Sequence, residues 1–236
     1  MRDMQPGQGS NDQARGRLAR ISHHFLSDNR TLRVLAVGVE RGDDSQFCAR
    51  LARALAGLGI TVALVEDDDC LVFYTGGRAL RREPILAPER LKDYWEDCRS
   101  PGVLMLPAED ALGGHRANVL IPVPVDDVDM RQAYRRLKQI ASGSVSSVGI
   151  TITGTSDRFQ AEAAYQRFAA AAYRFLGLEV ASYSYLLGGW TPAPGIDPQF
   201  ENIAALLVED WRKESPEKAG RDTAPSPTIV ASEEIV

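Results

Sequence analysis

The stretch GVERGDDSQF, residues 38–47, has most of the residue types of a phosphate-binding turn but no lysine. Such a turn needs glycines so that backbone amides can approach the phosphates, a lysine on the β/γ oxygens, and a Ser or Thr on Mg²⁺. Gly38 and Gly42 are present, and Ser45 stands where it would open the next helix as its N-cap. No lysine lies between residues 31 and 58, and Asp43 and Asp44 occupy the place of the phosphates. Two carboxylates there repel a triphosphate, yet they suit the positive end of a helix. The pattern reads as a solvated loop with an acidic helix start, or as a degenerate nucleotide loop made of Gly38, Gly42, Asp43, Asp44, Ser45 and Asp68.

Other clusters are weaker. Asp67-Asp68-Asp69 has the hard oxygen donors that Mg²⁺ prefers, but an acidic run after a strand is ordinarily a solvated turn. Asp126, Asp127 and Asp129 fit a helix start. The three cysteines, Cys48, Cys70 and Cys98, form neither a CxxC pair nor a disulfide framework, and three histidines leave little for a multi-His metal site. No catalytic residue and no metal site is assigned. Trp190, in the loop 188–199, reads as a packing residue.

The elements that position these residues alternate. Apolar runs at 31–39, 61–66, 102–108, 118–125, 146–153 and 179–187 read as strands. Pro122 and Pro124 argue against 118–125 as a central strand. Helical spacing joins Phe47, Leu51, Leu55 and Leu58, with Gly59 as a C-cap, and joins Met130, Tyr134, Leu137 and Ile140. It also joins Phe159, Ala164, Phe168, Ala172 and Phe175, closed by Gly177, and then Phe200, Ile203, Leu207 and Trp211. Residues 88–99 read as a further helix. Strands alternating with amphipathic helices predict an α/β fold, a mostly parallel sheet with helices on both faces. The connection at 109–117 is too short for a crossover helix, so that part of the fold is expected to be abbreviated.

The 236 residues carry a net charge of −5, which argues against a nucleic-acid binder, and no apolar run reaches membrane-span length. With a polar N-terminus, this predicts a cytoplasmic protein without stable membrane insertion. The domain is expected over 31–214. Residues 215–236 read as a disordered tail. Residues 1–30 read as a flexible segment, and 1–33 hold six arginines against three aspartates, a net +3. Within it Ala14, Leu18, Ile21 and Phe25 recur at i, i+4, i+7 and i+11, a narrow apolar stripe suited to docking on a protein partner.

Residues 33–69 resemble the opening of MinD/ParA-type ATPases. There a KGGVGKT loop leads to a helix ending NLAxALAxxG and a strand ending in DAD. Leu51–Gly59 (LARALAGLG) matches the helix end, Asp68 falls on the second Asp of DAD, and Asp44 replaces the signature lysine. Within that superfamily the chain is most similar to flagellar-number regulators of the FlhG (FleN) type. Asp12-Gln13-Ala14 resembles their DQAxxLR element, which engages a signal-recognition-type GTPase of flagellar assembly. Residues 125–140, 147–186 and 200–211 resemble their later blocks, so the likeness covers roughly 11–213. The departures concern nucleotide chemistry. Pro107 stands for the metal-site Asp, Thr153 stands for the Asn near the base, and 188–199 is too short for an extra helix.

The resemblance implies a P-loop-like fold of abbreviated form. It implies a regulator acting by protein contact in flagellar assembly or polar organisation, with recruitment to the cell pole or inner membrane face and with homodimers allowed. Hydrolysis and a bound ATP/Mg cofactor are not expected. Two alternatives stay open: an accessory MinD-like protein of cellulose or polysaccharide secretion, and an active switch ATPase with an atypical loop. If Asp12, Gln13, Ala14, Leu18, Ile21 and Phe25 contact a partner, deleting residues 1–28 leaves the melting temperature nearly unchanged and abolishes partner binding. Unfolding of the truncated chain would instead make the stripe a core element.

Overall fold

The structure, a computed structural model, describes residues 33–38, 45–67, 70–84, 102–108, 117–141, 145–188 and 197–214. In chain order the elements are β1 (Arg33–Val37), α1 (Ser45–Gly57), β2 (Thr61–Asp67), β3 (Cys70–Thr75), β4 (Arg78–Pro84), β5 (Gly102–Pro107) and β6 (Ala117–Pro124). Then follow α2 (Asp127–Ala141), β7 (Val145–Thr155), α3 (Arg158–Leu176), β8 (Ala181–Leu187) and α4 (Pro198–Glu214). The eight strands form one sheet in the order β4-β3-β2-β5-β1-β6-β7-β8. Strands β2, β5, β1, β6, β7 and β8 are mutually parallel, while β3 and β4 add an antiparallel hairpin at one end.

Alternation along the strands divides the apolar residues between two layers. Leu35 and Val37 of β1 pack with Phe47, Leu51 and Leu55 of α1 and Phe200, Ile203 and Leu207 of α4. Val34 and Ala36 face the other way, into a cluster with Leu137 of α2 and Phe168 of α3. The sheet is therefore doubly wound, with helices on both faces, as the alternation predicts. The edge of Phe47 meets Phe200, with ring centroids 5.3 Å apart, and ties α1 to α4. All four stripe residues of α4 are buried, Trp211 included, so its apolar face serves the core.

Several readings of the sequence need correction. The hairpin over 70–84 has no counterpart among the strands read from the sequence, although Gly76-Gly77 is a two-residue turn with both φ positive (54° and 76°), the geometry that favours glycine pairs in hairpins. Asp67 belongs to β2 and not to a turn. Leu58 is 48% exposed and leaves the buried stripe of α1. On α3 the buried residues are Ala161, Ala164, Phe168 and Ala172, whereas Phe159 is 87% exposed. Nine residues separate Phe159 from Phe168, which is half a revolution too many at 3.6 residues per turn. Phe175 lies in the last turn, exposed, with the Arg174 guanidinium 5.3 Å from its ring centroid.

Strand β6 is central despite its prolines. The Leu120 carbonyl accepts from Gly38 N, and Val125 N donates to the Thr153 carbonyl, so even-numbered residues of β6 aim their backbone groups at β1. Register with β1 ends at Leu120. Pro122 and Pro124 therefore lack an N–H on a side where β1 has already stopped, and no ladder bond is lost.

Packing between β7 and β8 leaves no room for a side chain at Gly149. A Cβ on Gly149 would fall 1.7 Å from Tyr183 Cε2. Gly149→Ala is expected to cost about 2–3 kcal/mol through overpacking. Phe168→Ala should cost about 3–5 kcal/mol, and Phe159→Ala under about 0.5 kcal/mol. Urea midpoints at constant slope measure all three, and equal costs for the two phenylalanines would contradict the assigned faces.

Candidate functional site

In an open parallel sheet the ligand crevice lies beyond the carboxyl ends of the strands, where successive connections diverge. Here that place is between β1 and β6. From β1 the chain turns through α1 toward β2, and from β6 it turns through α2, on the opposite face, toward β7. The edge is stepped. Strand β6 runs four residues, Ile121–Pro124, past the level at which β1 ends, about 13 Å at ordinary strand rise.

Gly38 sits at the foot of the step. Its amide donates to the Leu120 carbonyl at 2.8 Å, and a Cβ there would lie 3.0 Å from Ile121 Cγ1, so only glycine passes without displacing that side chain. The Gly38 carbonyl accepts from Arg136 of α2 at 3.3 Å. This guanidinium puts positive charge at the start of the loop, and the sequence alone did not reveal it. On the other flank Pro107 is in register with Val37, and Ala108 N donates to the Val37 carbonyl at 2.9 Å. Thr153 is buried near the end of β7 opposite Pro124, and Thr151, opposite Pro122, keeps a buried hydroxyl without a hydrogen-bond partner among the described residues.

Among the described residues four helices start at this carboxyl edge, and three starts are capped by the chain's own carboxylates. Asp126 accepts from Val128 N at 2.8 Å and Asp129 N at 3.3 Å. Asp157 accepts from Phe159 N at 2.8 Å. Asp197 accepts from Gln199 N at 3.0 Å, and its second oxygen pairs with Arg50 of α1 at 3.2 Å. The fourth, α1, begins at Ser45. Amides and dipoles that would hold an anion are thus engaged within the protein at α2, α3 and α4.

Of the sequence-assigned site, Gly38 and the helical position of Ser45 are placed, at either end of the β1–α1 loop. Gly42, Asp43, Asp44 and Asp68 lie outside the described residues, as do Asp12, Gln13, Ala14, Leu18, Ile21, Phe25, Trp190 and the helix read at 88–99. Among the described residues no three His, Cys, Asp or Glu side chains gather to hold a metal, and no helix is long and apolar enough to cross a membrane.

The displaced titrations lie away from the crevice. The Tyr185 hydroxyl of β8 donates to Glu162 of α3, and Gln166 donates to the same carboxylate at 2.8 Å; together they hold Glu162 below the ordinary carboxylate range. Burial, then the bond to Glu162, pushes the Tyr185 phenol up. Burial also raises Tyr74, and Glu209 followed by Asp210 raises Lys213.

No protein-family model matches the chain, and no curated protein matches it. Among solved structures, Helicobacter pylori folylpolyglutamate synthetase is similar with a TM-score of 0.42 and 12% identity, over 86% of this chain and 60% of that one. The chain thus spans about 60% of that protein's length, and the likeness is too slight to carry a function across.

A depressed Glu162 favours the folded state above its unfolded pKa and loses that contribution as pH falls through its folded value. Tyr185→Phe should move the Glu162 carboxyl titration, followed by NMR, upward toward the ordinary carboxylate value. An unmoved midpoint would show that the phenol does not set it.

Proposed function

We propose that this chain is a MinD/ParA-like regulator that retains the doubly wound architecture, is deficient in ATP hydrolysis, and acts through protein–protein contact in bacterial flagellar assembly, flagellar number or polar organisation. One observation carries the reading: at the switch point β1 ends in a glycine whose surroundings are answered internally, by Leu120, by Ile121 and by the Arg136 guanidinium. The sequence supports it further. The loop leading to Ser45 supplies Asp43 and Asp44 and no lysine, and β5, the strand beside β1, ends in Pro107 where the family carries its metal-site aspartate. A partner of the signal-recognition GTPase type, engaged by residues 12–25, is the contact this reading implies. Recruitment to the cell pole or inner membrane face, and homodimerisation, belong to the same proposal.

Phosphoryl transfer depends on positioned cations around the transferred group. Removing the lysine and installing two carboxylates opposes that chemistry. With saturating ATP and Mg²⁺, phosphate release should not exceed the protein-free rate. Turnover that saturates with ATP and disappears in Ser45→Ala with Asp68→Ala would overturn the hydrolysis-deficient reading and favour an active switch.

A further inference from the structure

Outside the crevice, a groove of about 350 Å³ runs between α2 and α3 on the outer surface. Met130, Tyr134, Phe168 and Ala171 line it, and Tyr134 meets Phe168 edge-on with centroids 6.1 Å apart. Arg131 and Arg167 stand on opposite walls. Asp127, also at the groove, pairs with Arg167 at 3.2 Å, while its carbonyl accepts from Arg131 Nε at 3.0 Å. Lys138 continues the Arg131 ridge two turns on, and Arg174 continues the Arg167 ridge by the same interval; both are exposed. Residues 126–176 hold seven basic and five acidic side chains, a net +2 on a chain of net −5, which leaves −7 elsewhere.

We propose that this groove is the docking site of the chain's own segment Thr228–Val236, TIVASEEIV. Charge complementarity selects it. Residues 222–236 contain Asp222, Glu233 and Glu234 and no basic residue. The same segment supplies Ile229, Val230, Ile235 and Val236 for an apolar floor. The basic N-terminal segment would be repelled by the arginine ridges. The length of chain also suffices. Helix α4 packs on the opposite face of the sheet and ends at Glu214, so the connection must round an edge of the sheet to reach a helix layer roughly 20 Å away at ordinary spacings. The intervening 215–227 can extend to about 43 Å. Docked, the segment covers the groove in cis and competes with any acidic partner for it.

Zero-length carbodiimide coupling of the full chain tests this, because it joins a lysine only to a carboxylate in contact with it. The expected product links Lys138 to Glu233 or Glu234, within one molecule when light and heavy isotope-labelled protein are mixed. Its yield should fall at least fivefold in Arg131→Glu with Arg167→Glu. A second variant, Ile229→Ser with Ile235→Ser, carries no substitution in either helix layer and should lower the yield similarly. Absence of the product, products joining only light to heavy chains, or a yield indifferent to both variants would overturn the proposal.

Discussion

Every helix that follows a strand in a parallel sheet begins at the same edge, and each beginning exposes backbone N–H groups that need acceptors. Among the described residues four helices start along one edge, so the problem of satisfying those donors is concentrated there. It is answered from within by Asp126, Asp157 and Asp197 at α2, α3 and α4. The fourth start, at Ser45, follows Asp43 and Asp44 in sequence. An edge that would attract anions is thus built with the chain's own carboxylates, and the functional reading follows from that choice. Asp197 does double duty: it caps α4 and holds Arg50, so the same carboxylate that ends the dipole also locks α1 against α4.

The stepped edge depends on the two apolar layers. Strand β1 is buried on both faces, with Leu35, Ala36 and Val37 fully inaccessible, and it needs partners on both sides only as far as Gly38. Beyond that level β6 loses its neighbour, and the proline spacing matches the loss. Helix α2 then lies close enough for Arg136 to reach the Gly38 carbonyl. At the far ends of the sheet, exposure is managed differently. Strand β4 presents Arg78 and Arg82 at its edge. On β8 the Gln199 side-chain amide pairs with both backbone groups of Leu187, taking the place of a further strand.

Much of this fold is legible in the sequence because burial on both faces leaves continuous apolar runs, as in 34–37, 62–65 and 102–106. Helix faces are legible where one stripe meets the sheet, as for α1, α2 and α4. The reading fails where the pattern is ambiguous or local. In α3, alanines form the buried side and the large aromatic Phe159 stands outside, so size misleads. In β6, proline argues against a central strand unless the ladder's parity is known. The hairpin had a signal in Gly76-Gly77, but β4 reads RALRREP, too charged to suggest a strand. For the site, composition reveals the missing lysine, while Arg136 is invisible because 98 residues separate it from Gly38.

The central claim is that an edge whose helix starts are capped by the chain's own carboxylates holds no triphosphate. Thermal unfolding of the full chain with and without 1 mM ATP and Mg²⁺ addresses it directly. A site with a dissociation constant near 10 μM would add about 2.7 kcal/mol at that concentration and raise the melting temperature by several degrees. The account predicts no shift beyond that given by an equal ionic strength of sodium sulfate. A saturable, nucleotide-specific rise that is lost on Ser45→Ala would contradict it.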